Sequence, residues 1–169
     1  APAPAPPAKV PAREMPRRVA ITYDLFVGSD RFSIGRTVQR WEADTGRYRL
    51  SSQSETTGLA GLFRPYQLGY SSEGTLLPGG LQPERFTVRR GRSGEQQLEA
   101  RFDWTAMTIA LGQPGALQRS PLASGTLDLV SFLYQLALID LVPGRLRLQI
   151  TNGSKVETYE LDVGAAEPI

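Results

Sequence analysis

The stretch from Gly125 to Asp140, Gly-Thr-Leu-Asp-Leu-Val-Ser-Phe-Leu-Tyr-Gln-Leu-Ala-Leu-Ile-Asp, is apolar on nearly every face of a helix. A helix of this length spans about 20 Å, too little to cross a bilayer. A helix that is hydrophobic all round has to be buried. Almost everything else in the chain reads as strand, which leaves the apolar face of a sheet as the place to bury it. Thr126 is placed to cap a helix over 126–139, and Asp128 falls in its first turn, where the helix dipole favours a carboxylate. Pro143-Gly144 closes the segment.

The strands show as alternation with period two. Val19, Ile21, Tyr23, Leu25 and Val27 share one face of a first strand. After a turn at Gly28-Ser29-Asp30 come Phe32, Ile34 and Val38 on one face, up to Trp41. Asp44-Thr45-Gly46 then turns the chain into Tyr48, Leu50, Ser52 and Ser54. These runs predict an antiparallel meander. It resumes with Tyr66, Leu68 and Tyr70, then Phe86 and Val88, then Leu98, Ala100, Phe102 and Trp104, then Met107, Ile109 and Leu111. Gly74 to Gly80 and the Gly/Pro/Ser-rich Gly112 to Gly125 read as loops. Leu146, Leu148 and Ile150 run into Asn152-Gly153, a favoured pair for a type I′ hairpin, and Val156, Tyr159, Leu161 and Val163 run back. The change of parity after Val156 predicts a β-bulge. Asn152-Gly153-Ser154 also spells a glycosylation sequon, but the turn accounts for it. The fold class is therefore all-β: an open, curved antiparallel sheet or incomplete barrel of about nine strands, with one apolar helix packed in its concavity.

Ahead of the first strand, residues 1–18 form a linker that opens Ala-Pro-Ala-Pro-Ala-Pro-Pro and closes on Arg13, Arg17 and Arg18. Alternating Ala-Pro favours extended polyproline II, a semi-rigid spacer. A spacer implies something upstream, so a signal peptide or membrane anchor is expected before Ala1. Residues 19–165 make a single β-domain.

The chain of 169 residues has neither cysteine nor histidine. That removes thiol nucleophiles, disulfides, Cys/His zinc sites and the usual general base near neutral pH. A net charge of +2 gives no electrostatic footprint for nucleic acid, and the Arg85, Arg89, Arg90 and Arg92 cluster surrounds a turn. No metal, cofactor or membrane-spanning segment is expected. Carboxylates are the remaining candidates for catalysis, Glu42 with Asp44 and Glu99 with Asp103, and they read as solvent-facing strand residues. Ser93 lacks the glycine spacing of a nucleophile elbow, and Ser131 on the helix is expected to bond a backbone carbonyl. Enzymatic activity is not expected.

For binding, the large apolar residues matter more. Trp41, Tyr66, Phe132 and Tyr134 can line an apolar cavity between helix and sheet, or fill a core there. Leu59, Leu62 and Phe63, set among glycines in Thr56 to Pro65, suit one helical turn or a movable flap over it. These seven are the candidate ligand-binding residues.

The order of Tyr23 and Gly28, Phe32 and Gly35, Phe63-Arg64-Pro65-Tyr66, Leu81-Gln82-Pro83-Glu84-Arg85-Phe86 and Asp128-Leu129-Val130-Ser131-Phe132-Leu133-Tyr134 resembles the DUF3108 family of exported bacterial proteins. The chain departs from that family at Ala137, which follows Leu136 where members often carry an arginine. The resemblance implies a periplasmic location and an all-β domain similar to the half-barrels of lipoprotein carriers, which hold acyl chains against a sheet. The function expected is a non-catalytic envelope protein that binds a lipid or lipoprotein acyl chain between sheet and helix. The alternative is an envelope scaffold with a solid core and protein partners only.

Overall fold

The computed structural model describes residues 16–28, 32–58, 61 and 65–165. The bulk of the linker, the turn residues Ser29 and Asp30, and the flap residues Leu59, Leu62 and Phe63 lie outside these. Eight strands follow one another in a single antiparallel sheet: β1 (Arg18–Val27), β2 (Phe32–Asp44), β3 (Arg47–Thr56), β4 (Gln67–Leu77), β5 (Gly80–Gly91), β6 (Gln96–Asp103), β7 (Thr108–Gln113) and β8 (Ala116–Pro121). Sheet order is chain order, and β1 and β8 do not pair, so the sheet stays open. The expected meander is thus present, with the apolar helix of residues 131–138 on its inner face. The helix, α1 (Ser131–Leu138), is followed by the hairpin of β10 (Gly144–Thr151) and β11 (Val156–Val163). No helix of the described residues is long and apolar enough to cross a membrane.

Several expectations are corrected. Two strands more than expected are present. One is β8, which lies inside the presumed loop 112–125 and pairs with β7 across a turn at Gly115 (φ +87). The other is β9 (Leu127–Asp128), which pairs parallel to Ile150 and Thr151 of β10. Extended backbone at 127–128 shortens the helix from 126–139 to 131–138. Thr126 bonds the Ala123 carbonyl (2.8 Å) and does not cap the helix. The β10–β11 ladder runs without a shift from Thr151↔Val156 to Gly144↔Val163, so β11 has no bulge. In its turn the Asn152 N–H donates to the Lys155 carbonyl (3.3 Å), and φ is positive at Gly153 (+90) but not at Ser154. A type I′ turn needs positive φ at both central positions, so this turn is not I′. Val38 and Trp41 point to opposite faces of β2, because side chains alternate along a strand.

The core lies between the inner face of the large sheet and a cover made by β9, α1 and the second sheet. One cross-strand row runs Val19, Trp41, Leu50, Ser72, Phe86, Ala100, Leu111. Trp41, Leu50, Phe86 and Ala100 in it are fully buried. The tip of the β10–β11 hairpin presses on the same face: a Cβ on Gly153 would stand 3.1 Å from Leu98 Cβ. The β4–β5 ladder shifts register between Glu73 and Gly74. A side chain on Gly74 would run into the Gln82 carbonyl oxygen and meet Pro83 Cα at 2.9 Å. Gly74→Ala is therefore expected to cost about 1–3 kcal/mol through a forced backbone shift. A urea midpoint equal to wild type would show that the bulge opens without strain.

Candidate functional site

The inner face divides into a covered half and an open half. In the covered half, Asp128 holds the entry to the helix. It is fully buried, and its Oδ1 accepts from the N–H groups of Val130 (3.0 Å) and Ser131 (2.9 Å). Its Oδ2 accepts from the hydroxyl of Ser72 on β4 (2.6 Å). The Ser131 hydroxyl reaches back to the Asp128 carbonyl (3.3 Å) and accepts from the Asp128 N–H (2.9 Å), as expected for a hydroxyl that serves the backbone. Tyr48 closes the chain of contacts with its phenol 3.1 Å from Ser72 Oγ. Burial pushes the Asp128 carboxyl above its ordinary range, opposed by its hydrogen bonds from Ser72, Ser131 and Val130, and burial likewise pushes the Tyr48 phenol up. On the helix, the Gln135 side chain accepts from the Leu81 N–H (2.7 Å) and donates to the Gly79 carbonyl (3.1 Å), tying α1 to the β4–β5 turn.

Of the residues singled out for ligand binding, Trp41 and Tyr134 are brought together. Trp41 is sandwiched between Tyr48 and Tyr134, with ring centroids 5.9 and 5.4 Å away and nearly parallel planes. Its indole N–H donates to the Pro16 carbonyl (2.8 Å). Aromatic rings therefore fill the space between β2 and the helix. Phe132 is half-buried and packs on the core, whereas Tyr66 is exposed where the chain enters β4. Leu59, Leu62 and Phe63 lie outside the described residues. The apolar helix is less covered than its composition requires. Leu133 is 48% exposed, and Val142 beyond the helix is 74% exposed.

The open half begins one step along each strand from Trp41. Its rows run Ile21, Gln39, Ser52, Tyr70, then Tyr23, Thr37, Ser54, Leu68, then Leu25, Gly35, Thr56. Two apolar walls result. Ile21, Tyr23 and Leu25 stand on β1, and Tyr70 and Leu68 on β4. Three strand spacings separate them, about 14 Å. Between them the floor is short and polar: the Thr37 and Ser54 hydroxyls bond each other at 2.7 Å, and Gly35 offers no side chain. A Cβ at Gly35 would stand 2.7 Å from the Glu55 carbonyl oxygen and 3.5 Å from Leu25 Cδ1. The β1 wall is wet, with Ile21 38%, Tyr23 45% and Leu25 41% exposed. One end of this trough is bordered by Tyr134 of α1, whose phenol is pushed up by burial and, second, by the nearby Tyr23. At the other end β3 gives way to the connection to β4, where the Gly61 N–H donates to the Thr57 carbonyl (3.1 Å).

The sequence reading placed Ile21, Tyr23 and Leu25 on a buried face. The signal that could have corrected it is the run of polar partners, Gln39, Thr37, Ser52 and Ser54, at the facing positions. The trough offers apolar contact and hydroxyl and amide dipoles. Among the described residues no group of three or more acidic, histidine or cysteine side chains is placed to hold a metal. Glu99 is on the outer face, clamped by Arg101 and Arg85 at 2.8 Å each, and the hydrogen bond from Arg101 above all holds its carboxyl below the usual range. Asp103 accepts from the Ala106 N–H (2.8 Å) and fixes the β6–β7 turn.

A family model described as "Protein of unknown function (DUF3108)" matches residues 20–169, nearly the whole β-domain. No curated protein and no solved structure matches the chain.

Proposed function

This chain belongs to the DUF3108 family, and from that premise we propose that it is a non-catalytic envelope protein that seats a hydrophobic ligand, an acyl chain first of all, in the open half of its inner face. The observation that carries this reading is the wet apolar wall of Ile21, Tyr23 and Leu25 facing Tyr70 and Leu68 across a polar floor. An apolar chain laid along that wall gains up to about 0.8 kcal/mol per methylene removed from water. Tyr134 borders the seat and stacks on Trp41, while Phe132 packs on the core. The seat is beside the helix, since the sheet–helix interface is occupied by the Trp41–Tyr134 stack. Periplasmic location belongs to the same proposal. It rests on the proline-rich segment and on the resemblance to exported proteins.

The filled sheet–helix interface also favours the second reading, a scaffold with protein partners only. A fluorescent fatty-acid probe separates the two. The carrier reading expects saturable binding at one site per chain. Leu25→Asp, which puts a charge on the wall, should weaken it by about tenfold or more. Leu133→Asp, on the exposed side of the helix, should leave it unchanged. Absence of a saturable site, or equal loss in both variants, would sink the carrier reading and leave the scaffold.

A further inference from the structure

The large sheet ends on one side at β1, and no described element pairs with the far side of that strand. Soluble proteins blunt such edges with charge, proline or short length. The other free edges follow this rule. β8 has six residues, carries Arg119 and ends in Pro121, while β11 carries Glu157, Glu160 and Asp162. β1 does not. It runs ten residues, with only Arg18 and Asp24 charged and Ile21, Tyr23, Leu25 and Val27 exposed.

The hydrogen-bonding parity of this edge is fixed. Ala43 N–H donates to the Arg17 carbonyl (2.8 Å), so residues 17 and 43 form a hydrogen-bonded pair. Such pairs recur at every second residue of an antiparallel ladder. Val19, Ile21 and Tyr23 therefore direct their N–H and C=O groups to β2. Arg18, Ala20, Thr22 and Asp24 direct theirs outward. An antiparallel strand on the free side must pair with these four.

We propose that the occupant is β1 of a second copy of this chain, related by a two-fold axis at Ile21. In that register Arg18 faces Asp24 of the second copy, Ala20 faces Thr22, and both are hydrogen-bonded pairs. Val19 faces Tyr23 and Ile21 faces itself in the closer, non-hydrogen-bonded positions. The outer face then pairs opposite charges at Arg18 and Asp24 and two small side chains at Ala20 and Thr22, and the inner face pairs apolar with apolar. The two charged groups are free to meet. Arg18 makes no ion pair among the described residues, and Arg36 takes only Oδ1 of Asp24 (2.8 Å). The axis stands perpendicular to the sheet. It joins two eight-stranded sheets into one and sets both troughs side by side on the same surface. This inference rests on the strand edge and not on a ligand. Leu25 lies outside the paired segment, so Leu25→Asp tests the ligand without touching the dimer.

Sedimentation velocity over a wide range of protein concentration tests it. Wild type should show a reversible monomer–dimer equilibrium. Thr22→Pro removes an outward N–H and no bond to β2, a position where an edge strand accepts proline. It should weaken the dimer by about tenfold or more through the two symmetry-related bonds it deletes. Arg18→Asp and Asp24→Arg place like charges opposite each other in their own homodimers. Each alone should dimerise less tightly than wild type by about tenfold, and an equimolar mixture should recover wild-type affinity as a heterodimer. A wild type that stays monomeric throughout overturns the proposal. So does a dimer that ignores Thr22→Pro, or single-charge variants that fail to rescue each other.

Discussion

Asp128→Ala should lower the free energy of unfolding by about 3 kcal/mol or more, the cost of leaving several buried donors without an acceptor together with the loss of a helix cap. The Val130 and Ser131 N–H groups and the Ser72 hydroxyl all point at the deleted carboxyl. Asp128→Asn keeps an oxygen for the two N–H groups and lets its amide donate to Ser72, which can then donate to Tyr48. It should stay within about 1 kcal/mol of wild type near neutral pH. The two chains should differ in pH dependence. Burial raises the Asp128 pKa, so the folded state keeps a proton that the unfolded chain releases above about pH 3.9. Its contribution to stability is full below that value and is lost as pH rises through the folded pKa. Urea unfolding at several pH values from 4 upward, about the unfolded pKa, should show wild type losing ground to Asp128→Asn as pH increases. A constant difference between them would mean that Asp128 is ionised throughout, and an Asp128→Ala midpoint equal to wild type would remove it from the architecture.

The other large effect is expected at Trp41. Trp41→Ala empties a site with no solvent exposure and should cost about 4 kcal/mol. It removes both ring stacks and the bond that fixes Pro16 at the entry to β1. Trp41→Phe keeps a ring between Tyr48 and Tyr134 and loses the indole N–H, for about 1–2 kcal/mol. Urea midpoints measure both, with unchanged m-values showing that the loss is in stability alone. A smaller loss for alanine than for phenylalanine would show that Tyr134 collapses into the gap.

The middle of the meander, β3 to β7, is legible because apolar residues alternate along those strands toward one covered face, a strictly local signal. The start of the helix is not. Thr126 and Asp128 both look suited to start it, yet the helix begins at Ser131 with Val130 at its N-cap position, and Asp128, held by the Ser72 hydroxyl 56 residues away, receives the Val130 and Ser131 N–H groups from the strand before it. The helix is shorter than its apolar run because Leu127 and Asp128 are taken by a parallel pairing to β10, which no local pattern reports. β8 carries Gln118, Arg119 and Ser120 without apolar alternation, and its strand character comes from the ladder with β7 alone. Val38 follows Phe32 and Ile34 at even spacing and Trp41 stands three residues on, so period two by itself already sets Trp41 on the opposite face from Val38. At the trough, Tyr23 and Leu25 look like core residues in their own strand. Their exposure is decided by what is missing opposite them, the large side chains that Thr37, Gly35 and Ser54 do not have.

Because the large sheet is laid down in chain order, each strand can dock on the one made just before it, with short loops to close. The cover comes from residues after Leu122, which follow the whole large sheet in the chain. Until then Trp41, Leu50, Phe86 and Ala100 lie on a broad greasy surface with nothing over it, the kind of surface that invites aggregation. The handclasp between Ser72 and Asp128 is thus a sign that the roof is on, and a chain halted before it forms leaves a sticky, half-roofed sheet.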